Sequence, residues 1–240
     1  QGFAGIAECN GEADGGPSRV LPPIIDLGTG MWSAMGILGA LHKRNATGQG
    51  GRVQTSLYET AVGFMTLQTS LYQATGELPQ RNGLQGPMIA PNGGYECADG
   101  LLIIVCATER QTQRLCDVIG APEILANPKF ATAPLRNQHH DEFAGALNAV
   151  LRQHTRAHWA EKLDRANIPN SPVHQLPEMM AHEQTKATGM LQPSPDGSFA
   201  VVALPVQFDG QRAEFDRYAP ELGEDNARAF GEGSGPDELV

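Results

Sequence analysis

Asp26 closes a short apolar run, Leu21-Pro22-Pro23-Ile24-Ile25, and is followed by Leu27-Gly28-Thr29-Gly30 and a helix-like stretch that ends at Arg44. A carboxylate placed there faces a helix start. The free amides and positive dipole end of the helix attract anions, and the two glycines let another group approach the backbone closely. Such a carboxylate suits nucleophilic chemistry: it is ionised at neutral pH, so it needs placement and a stabilised oxyanion rather than a base. A bland alternative fits the same spacing, an Asx turn at Asp26 before Thr29 caps the helix.

Other constellations carry less. Gly28-Thr-Gly30-Met-Trp-Ser33 after Ile24-Ile25 approaches a dinucleotide fingerprint. It lacks the long strand, the glycine or alanine at Ser33, and the acidic residue about 20 positions on that a true one has. His154 and His158 are spaced for one helix face but enclose no metalloprotease glutamate, and His139-His140 falls in a polar loop; both pairs read as solvated, and no metal is expected. Gly16-Pro-Ser18 lacks the far glycine of a nucleophile elbow. Cys9, Cys97, Cys106 and Cys116 show neither paired nor dense spacing and read as free, mostly buried thiols.

The elements that must position Asp26 follow from periodicity. Met31, Met35, Leu38 and Leu41, widened by Ala34 and Ile37, predict a buried helix from Gly30 to Arg44, with Lys43-Arg44 at its favourable C-terminal end. Arg52 to Leu57 alternates like a strand, and Glu59 to Thr75 has helical character. Gly76 to Gly94 reads as a linker or active-site loop, in which Gly93-Gly94 forms either an oxyanion-binding turn or a plain one. Leu101 to Cys106 predicts a buried strand, and Arg110–Ile119, Phe143–Leu151 and Ala157–Ala166 predict helices, the last capped by Thr155. Leu176–His182 follows as a helix and Phe199–Val206 as a strand. Glu109, after the strand, is either a site carboxylate or an ordinary exposed one.

The 240 residues carry Lys+Arg 17 against Asp+Glu 27, a formal charge of −10, which disfavours nucleic acid or an anionic membrane as partner. No run of about 20 uninterrupted apolar residues or basic-then-apolar leader is present, which predicts a soluble, cytoplasmic protein.

Asp26-Leu-Gly-Thr-Gly-Met31, the helix end Ala40-Leu-His-Lys-Arg44, Thr47-Gly-Gln-Gly-Gly-Arg-Val53 and Ser56-Leu57 together resemble the class III coenzyme A transferase family. Tyr95-Glu-Cys-Ala-Asp-Gly100, Trp159-Ala-Glu-Lys-Leu163, Ile168-Pro-Asn-Ser-Pro-Val173 and Pro220-Glu-Leu-Gly223 are similar to its later landmarks. The resemblance covers about residues 1 to 230, the part of a member that runs from just before the catalytic aspartate. It implies an α/β fold: a partial nucleotide-domain-like, Rossmann-type body and a smaller α+β domain, assembled as an interlocked homodimer. The expected divisions are 1–80 in the large domain, 81–174 in the small domain with its linker, 175–230 returning to the large domain, and 231–240 a frayed tail.

The resemblance implies coenzyme A transfer between an acyl-CoA and a carboxylic acid, with no tightly bound cofactor and the coenzyme A thioester as substrate. Asp26 would be the nucleophile, passing through an aspartyl anhydride and an aspartyl-CoA thioester. Gly28, Gly30, Gly93 and Gly94 would supply oxyanion or substrate contacts. The racemase branch of the family, acting on α-methylacyl-CoA, is the alternative, and Glu109 resembles an acidic position near its site. Coenzyme A carries several phosphate charges, whereas the cations here, such as Lys43, Arg44 and Arg52, are scattered. A third reading follows: a non-catalytic half that needs a partner chain to bind coenzyme A.

Overall fold

The structure, a computed structural model, describes residues 1–86, 89–214, 217 and 219–231. The chain divides into two compact units, Gln1–Val173 and His174–Val240.

The first unit opens with helices. After the single turn α1 (Ile6–Cys9) comes α2, Ile24–Thr47. Pro23 stands at its N-cap with φ −75°, the value its ring imposes, and Gly48 ends it at φ 72°, donating to Arg44 O at 2.8 Å. Ser56 starts α3 (Leu57–Phe64) by accepting from Glu59 N at 3.1 Å while donating to Glu59 Oε2 at 2.7 Å. α4 (Thr66–Thr75) follows after Met65 and stops at Gly76, φ 74°.

Ile6, Ile25 and Ala61 form a small cluster where α1, α2 and α3 meet, with Ala4, Ile24 and Met65 against it. Gly28 lets α2 and α3 close: a Cβ there would lie 2.6 Å from the Phe64 ring. Beside it Thr29 Oγ1 donates to Thr60 Oγ1 at 2.9 Å, Thr60 donates to Ser56 O at 3.0 Å, and Ser33 Oγ lies 2.7 Å from Thr55 Oγ1.

The second cluster is larger and closed. β1 (Asn92–Cys97), β2 (Gly100–Val105) and β3 (Asn170–Pro172) form an antiparallel sheet in that order, with Gly93 opposite Ile104 and Tyr95 opposite Leu102. On it pack α5 (Glu109–Val118), α7 (His140–Leu151) and α8 (Arg156–Arg165), with the short α6 (Ala133–Gln138) against α7. Thr108 and Gln111 form a capping box on α5, and Thr155 caps α8. Tyr95, Leu102, Ile104, Leu115, Phe143 and Leu147 are completely buried. Trp159 Nε1 donates to Leu151 O at 2.7 Å, so its polar edge is satisfied inside the core. The two clusters fall on either side of the stretch 76–89.

The second unit contains α9 (Leu176–Ala181), α10 (Glu183–Ala187), the hairpin β4 (Leu191–Pro193) and β5 (Ala200–Val202), and α11 (Asn226–Phe230). The expected tail 231–240 lies, except for Gly231, outside the described residues.

A mixed α/β architecture is present, and the helices α3 to α5, α7, α8 and α9 fall where periodicity puts them. Three local expectations are corrected. The helix expected from Gly30 begins six residues earlier, at Ile24, directly after Pro22-Pro23, which offers no amide hydrogens. Residues 52–56 form no strand, since a strand needs a neighbour to take its hydrogen bonds and both sheets among the described residues are antiparallel pairs elsewhere. The parallel, Rossmann-type body is therefore not formed by the described residues. The third correction concerns α2, whose stripe was expected to be buried: only Ile25 and Gly28 are, while Met31, Met35 and Leu38 are exposed by 66%, 59% and 66%.

Candidate functional site

Asp26 is the third residue of α2, exposed, in the first turn rather than ahead of the helix. Thr29 is not the cap; its hydroxyl is turned towards α3. The Asx-turn alternative therefore fails, and the carboxylate instead sits at the positive end of a 24-residue helix. The neighbouring amides differ in availability. Ile24 N donates to Pro22 O at 2.7 Å and Leu27 N to Pro23 O at 3.0 Å, leaving Ile25 and Asp26 as the first-turn amides without such a backbone acceptor among these bonds.

Gly28 and Gly30 do not make a turn. Both lie in the helical stretch, where the backbone amide is turned to the carbonyl four residues back. Gly28 is buried against Phe64 and Thr60, and Gly30 has open space where a Cβ would stand. What distinguishes them is close approach: by α3 at Gly28, and by any outside group at Gly30.

Gly93 and Gly94 likewise belong to β1 rather than to a loop. Their missing side chains are replaced by the segment that precedes them: a Cβ on Gly93 would fall 1.8 Å from Gln85 Oε1 and one on Gly94 2.9 Å from Leu84 Cδ1. Gly86 N donates to Asn92 O at 2.6 Å and Gln85 Nε2 to Gly94 O at 3.0 Å, so the 84–86 segment is fastened along this edge. Gln85 Oε1 in turn lies 3.1 Å from His140 Nε2. No hydrogen bond or ion pair among the described residues joins this strand to Asp26.

Glu109 begins α5, and both its oxygens are engaged. Oε1 accepts from Ala133 N at 2.8 Å and Oε2 from Arg136 at 2.8 Å. Arg136 is buried, with 2% of its side chain exposed, and also donates to Ala90 O at 2.9 Å and Phe130 O at 3.0 Å. One guanidinium thus ties the entry of β1 to α5 and to the turn at Phe130. Sequence reasoning did not single out Arg136, because an arginine in a short helix gives no sign of burial; only the packing around it does.

A cleft of about 1490 Å³ opens between residues 9–13, α4, the 75–86 stretch and α7. Gln85, His140 and Asn148 line it together with the carboxylates of Glu12, Glu77 and Asp141, and no Lys or Arg is among its lining residues. Such a wall repels phosphates. Asp26 is not part of it.

Three of the four cysteines, Cys97, Cys106 and Cys116, are buried thiols whose surroundings favour the protonated form. Burial raises Cys97 to about 11, Cys106 to about 12 and Cys116 to about 11, with neighbouring acidic groups adding to the shift. His154 and His158 stack at 4.1 Å beside Trp159, and burial, then the charges of His154 and Lys162, lowers the His158 pKa. Among the described residues no group of three or more His, Cys, Asp or Glu is arranged to hold a metal ion.

Comparison with known proteins now adds what geometry alone does not. The model of CoA-transferase family III matches residues 1–226. The chain is 31% identical over 239 residues to acetyl-CoA:oxalate CoA-transferase of Acetobacter aceti, covering 99% of this chain and 61% of that protein. It is 27% identical over 244 residues to succinyl-CoA:mesaconate CoA-transferase of Haloarcula hispanica, covering 97% and 59%. Among solved structures, a CAIB/BAIF family protein from Brucella suis superposes with a TM-score of 0.83 at 28% identity, covering 95% of this chain and 60% of that one. The chain thus spans about three fifths of the length of these relatives.

Proposed function

The chain belongs to CoA-transferase family III, and from that premise we propose that it carries the nucleophile for coenzyme A transfer between an acyl-CoA and a carboxylic acid, with Asp26 in that role. The observation that carries the reading is the exposed carboxylate in the first turn of α2, at the positive end of a long helix. An Asp26 carboxylate oxygen attacks the thioester carbonyl; the C–S bond breaks, giving an acyl-aspartyl anhydride and the coenzyme A thiolate. The thiolate then attacks the aspartyl carbonyl, releasing the first acid as its carboxylate and leaving an aspartyl-CoA thioester. An incoming carboxylate repeats the two exchanges in reverse, leaving as the new acyl-CoA and restoring Asp26. Overall one thioester is broken and one formed, so no nucleotide hydrolysis is needed.

The transient oxyanions call for preorganised donors. The first-turn amides of Ile25 and Asp26 are the candidates on α2, with Gly30 leaving room for the thioester to approach. A substrate contact by Gly93 or Gly94 would require the 84–86 segment, which covers that edge of β1, to move aside. The relatives named above act on oxalate and mesaconate, and we extend that class, small dicarboxylic acids, to the acceptor here. The racemase alternative draws no support from Glu109, whose oxygens already serve Arg136 and Ala133. We place the activity in the cytoplasm and its completion in an assembled family fold, a homodimer or a complex with a partner chain that supplies coenzyme A phosphate contacts.

The test is trapping. The protein, in the company of that remaining fold, is incubated with succinyl-CoA and treated with hydroxylamine, and the modified residue is mapped by mass spectrometry. A hydroxamate at Asp26, absent in Asp26→Asn, is expected together with transfer to oxalate or mesaconate. Transfer that survives Asp26→Asn, or solvent deuterium entering beside the thioester carbonyl without any adduct, overturns the reading.

A further inference from the structure

Thr29 follows Asp26 by about one helical turn, and its hydroxyl has two acceptors within reach, Ile25 O at 2.8 Å and Thr60 Oγ1 at 2.9 Å. The Ile25 carbonyl and the Asp26 N–H are the two ends of one planar peptide group. A bond at that oxygen therefore acts on the amide beside the proposed nucleophile.

The amide has little else to hold it. It belongs to the first turn of α2 and has no backbone acceptor among the described residues, so the peptide is fixed from its oxygen end alone. In the helix that oxygen already faces the Thr29 amide, and the Thr29 hydroxyl adds a second donor from the side. Two donors on one carbonyl polarise the peptide and strengthen the N–H at its other end.

The hydroxyl is in turn held from α3. Thr60 has a single hydroxyl hydrogen and gives it to Ser56 O at 3.0 Å, so the hydrogen between Thr29 and Thr60 comes from Thr29. The other branch of Thr60 is engaged too: the residue is 4% exposed, and a Cβ on Gly28 would lie 3.1 Å from Thr60 Cγ2. One buried side chain thus meets α2 at Gly28 and Thr29, directly behind Asp26.

Ser33 provides the contrast. Its hydroxyl makes the same bond one turn on, to Thr29 O at 2.8 Å, and meets Thr55 Oγ1 at 2.7 Å. The peptide it touches, however, carries the Gly30 amide, which the helix already uses.

We propose that Thr29, anchored by Thr60, is a positioning residue for Asp26: its hydroxyl orients the Ile25–Asp26 peptide and aims the Asp26 N–H at the developing oxyanion. The statement rests on the proposed function, in which that amide is a donor, and deepens it by naming the side chains that direct the donor.

Two measurements test it. The residual dipolar coupling of the Asp26 N–H in the 15N-labelled chain reads the direction of that bond, and transfer from succinyl-CoA to oxalate, assayed as for the proposed function, reads the chemistry. Thr29→Val is expected to shift the coupling and to lower kcat at least about tenfold, short of the roughly 100-fold that loss of a whole oxyanion donor costs. KM for succinyl-CoA is expected to stay unchanged, as it does when only the transition state loses a contact. Thr29→Ser keeps the hydroxyl and is expected to match the unaltered chain in both readouts. Thr60→Val should move both in the same direction by less, and it carries the test if Thr29→Val does not fold. Ser33→Ala should move neither.

A coupling indifferent to Thr29→Val and Thr60→Val, a loss confined to KM, a Thr29→Ser variant as slow as Thr29→Val, or an equal effect of Ser33→Ala would each overturn the proposal. If no adduct forms at Asp26 in the unaltered protein while the coupling still follows the Thr29 hydroxyl, the nucleophile reading alone falls and the hold on the peptide stands.

Discussion

Residues 90–173 and residues 1–75 are both rich in helix, yet one closes on itself and the other does not. In the former, a three-stranded sheet and its helices bury Tyr95, Phe143, Leu147 and their neighbours completely, and even the arginine inside has an acceptor for each of the donors named above. In the latter, only Ile6, Ile25 and Ala61 make the buried cluster among the described residues, while the long helix turns its methionines outward. The chemistry proposed for this protein resides in the open region, and the stability resides in the closed one. The proposed nucleophile is carried on a helix whose described contacts lie along one side.

The contrast can be broken most directly in the closed region. Phe143→Ala is expected to lower unfolding free energy by about 3–5 kcal/mol, whereas Met35→Ala, at an exposed site, changes it by less than about 0.5 kcal/mol. Urea titrations of the two variants measure the difference, and equal effects would mean that α2 is as well packed as α7. Arg136→Met should cost about 3 kcal/mol, because Ala90 O, Phe130 O and the Glu109 carboxylate all lose a donor. Glu109→Gln should cost less, about 1 kcal/mol, because that side chain is 59% exposed.

Glycines sharpen the comparison at smaller scale. Gly28→Ala drives a methyl into Phe64 and is expected to cost about 1–3 kcal/mol. Gly39→Ala on the same helix meets nothing and should instead stabilise the chain by about 0.5–1 kcal/mol. Thermal melts of the two variants are expected to shift in opposite directions. Smallest in energy but clear in readout, Cys97, Cys106 and Cys116 should resist iodoacetamide at pH 8 until urea unfolds the chain, because burial holds their thiols protonated. Rapid labelling of any of them in the native protein would show that the closed core opens.

Local sequence determined much of this protein. Thr108 with Gln111, Ser56 with Glu59, Thr155, and the glycines at 48 and 76 mark helix ends through hydrogen bonds that span only a few residues, so neighbouring letters suffice to read them. The ordered landmarks from Asp26 to Gly223 likewise pointed to the family that the comparison established. The apolar stripe of α2 was legible as well, but not where it would be spent. Tertiary structure alone decided that Gly93 and Gly94 receive Leu84 and Gln85 within a strand, that Arg136 is buried, and that residues 52–56 find no strand partner. Periodicity records which face of an element seeks cover. Which segment provides the cover depends on contacts between residues far apart in the chain.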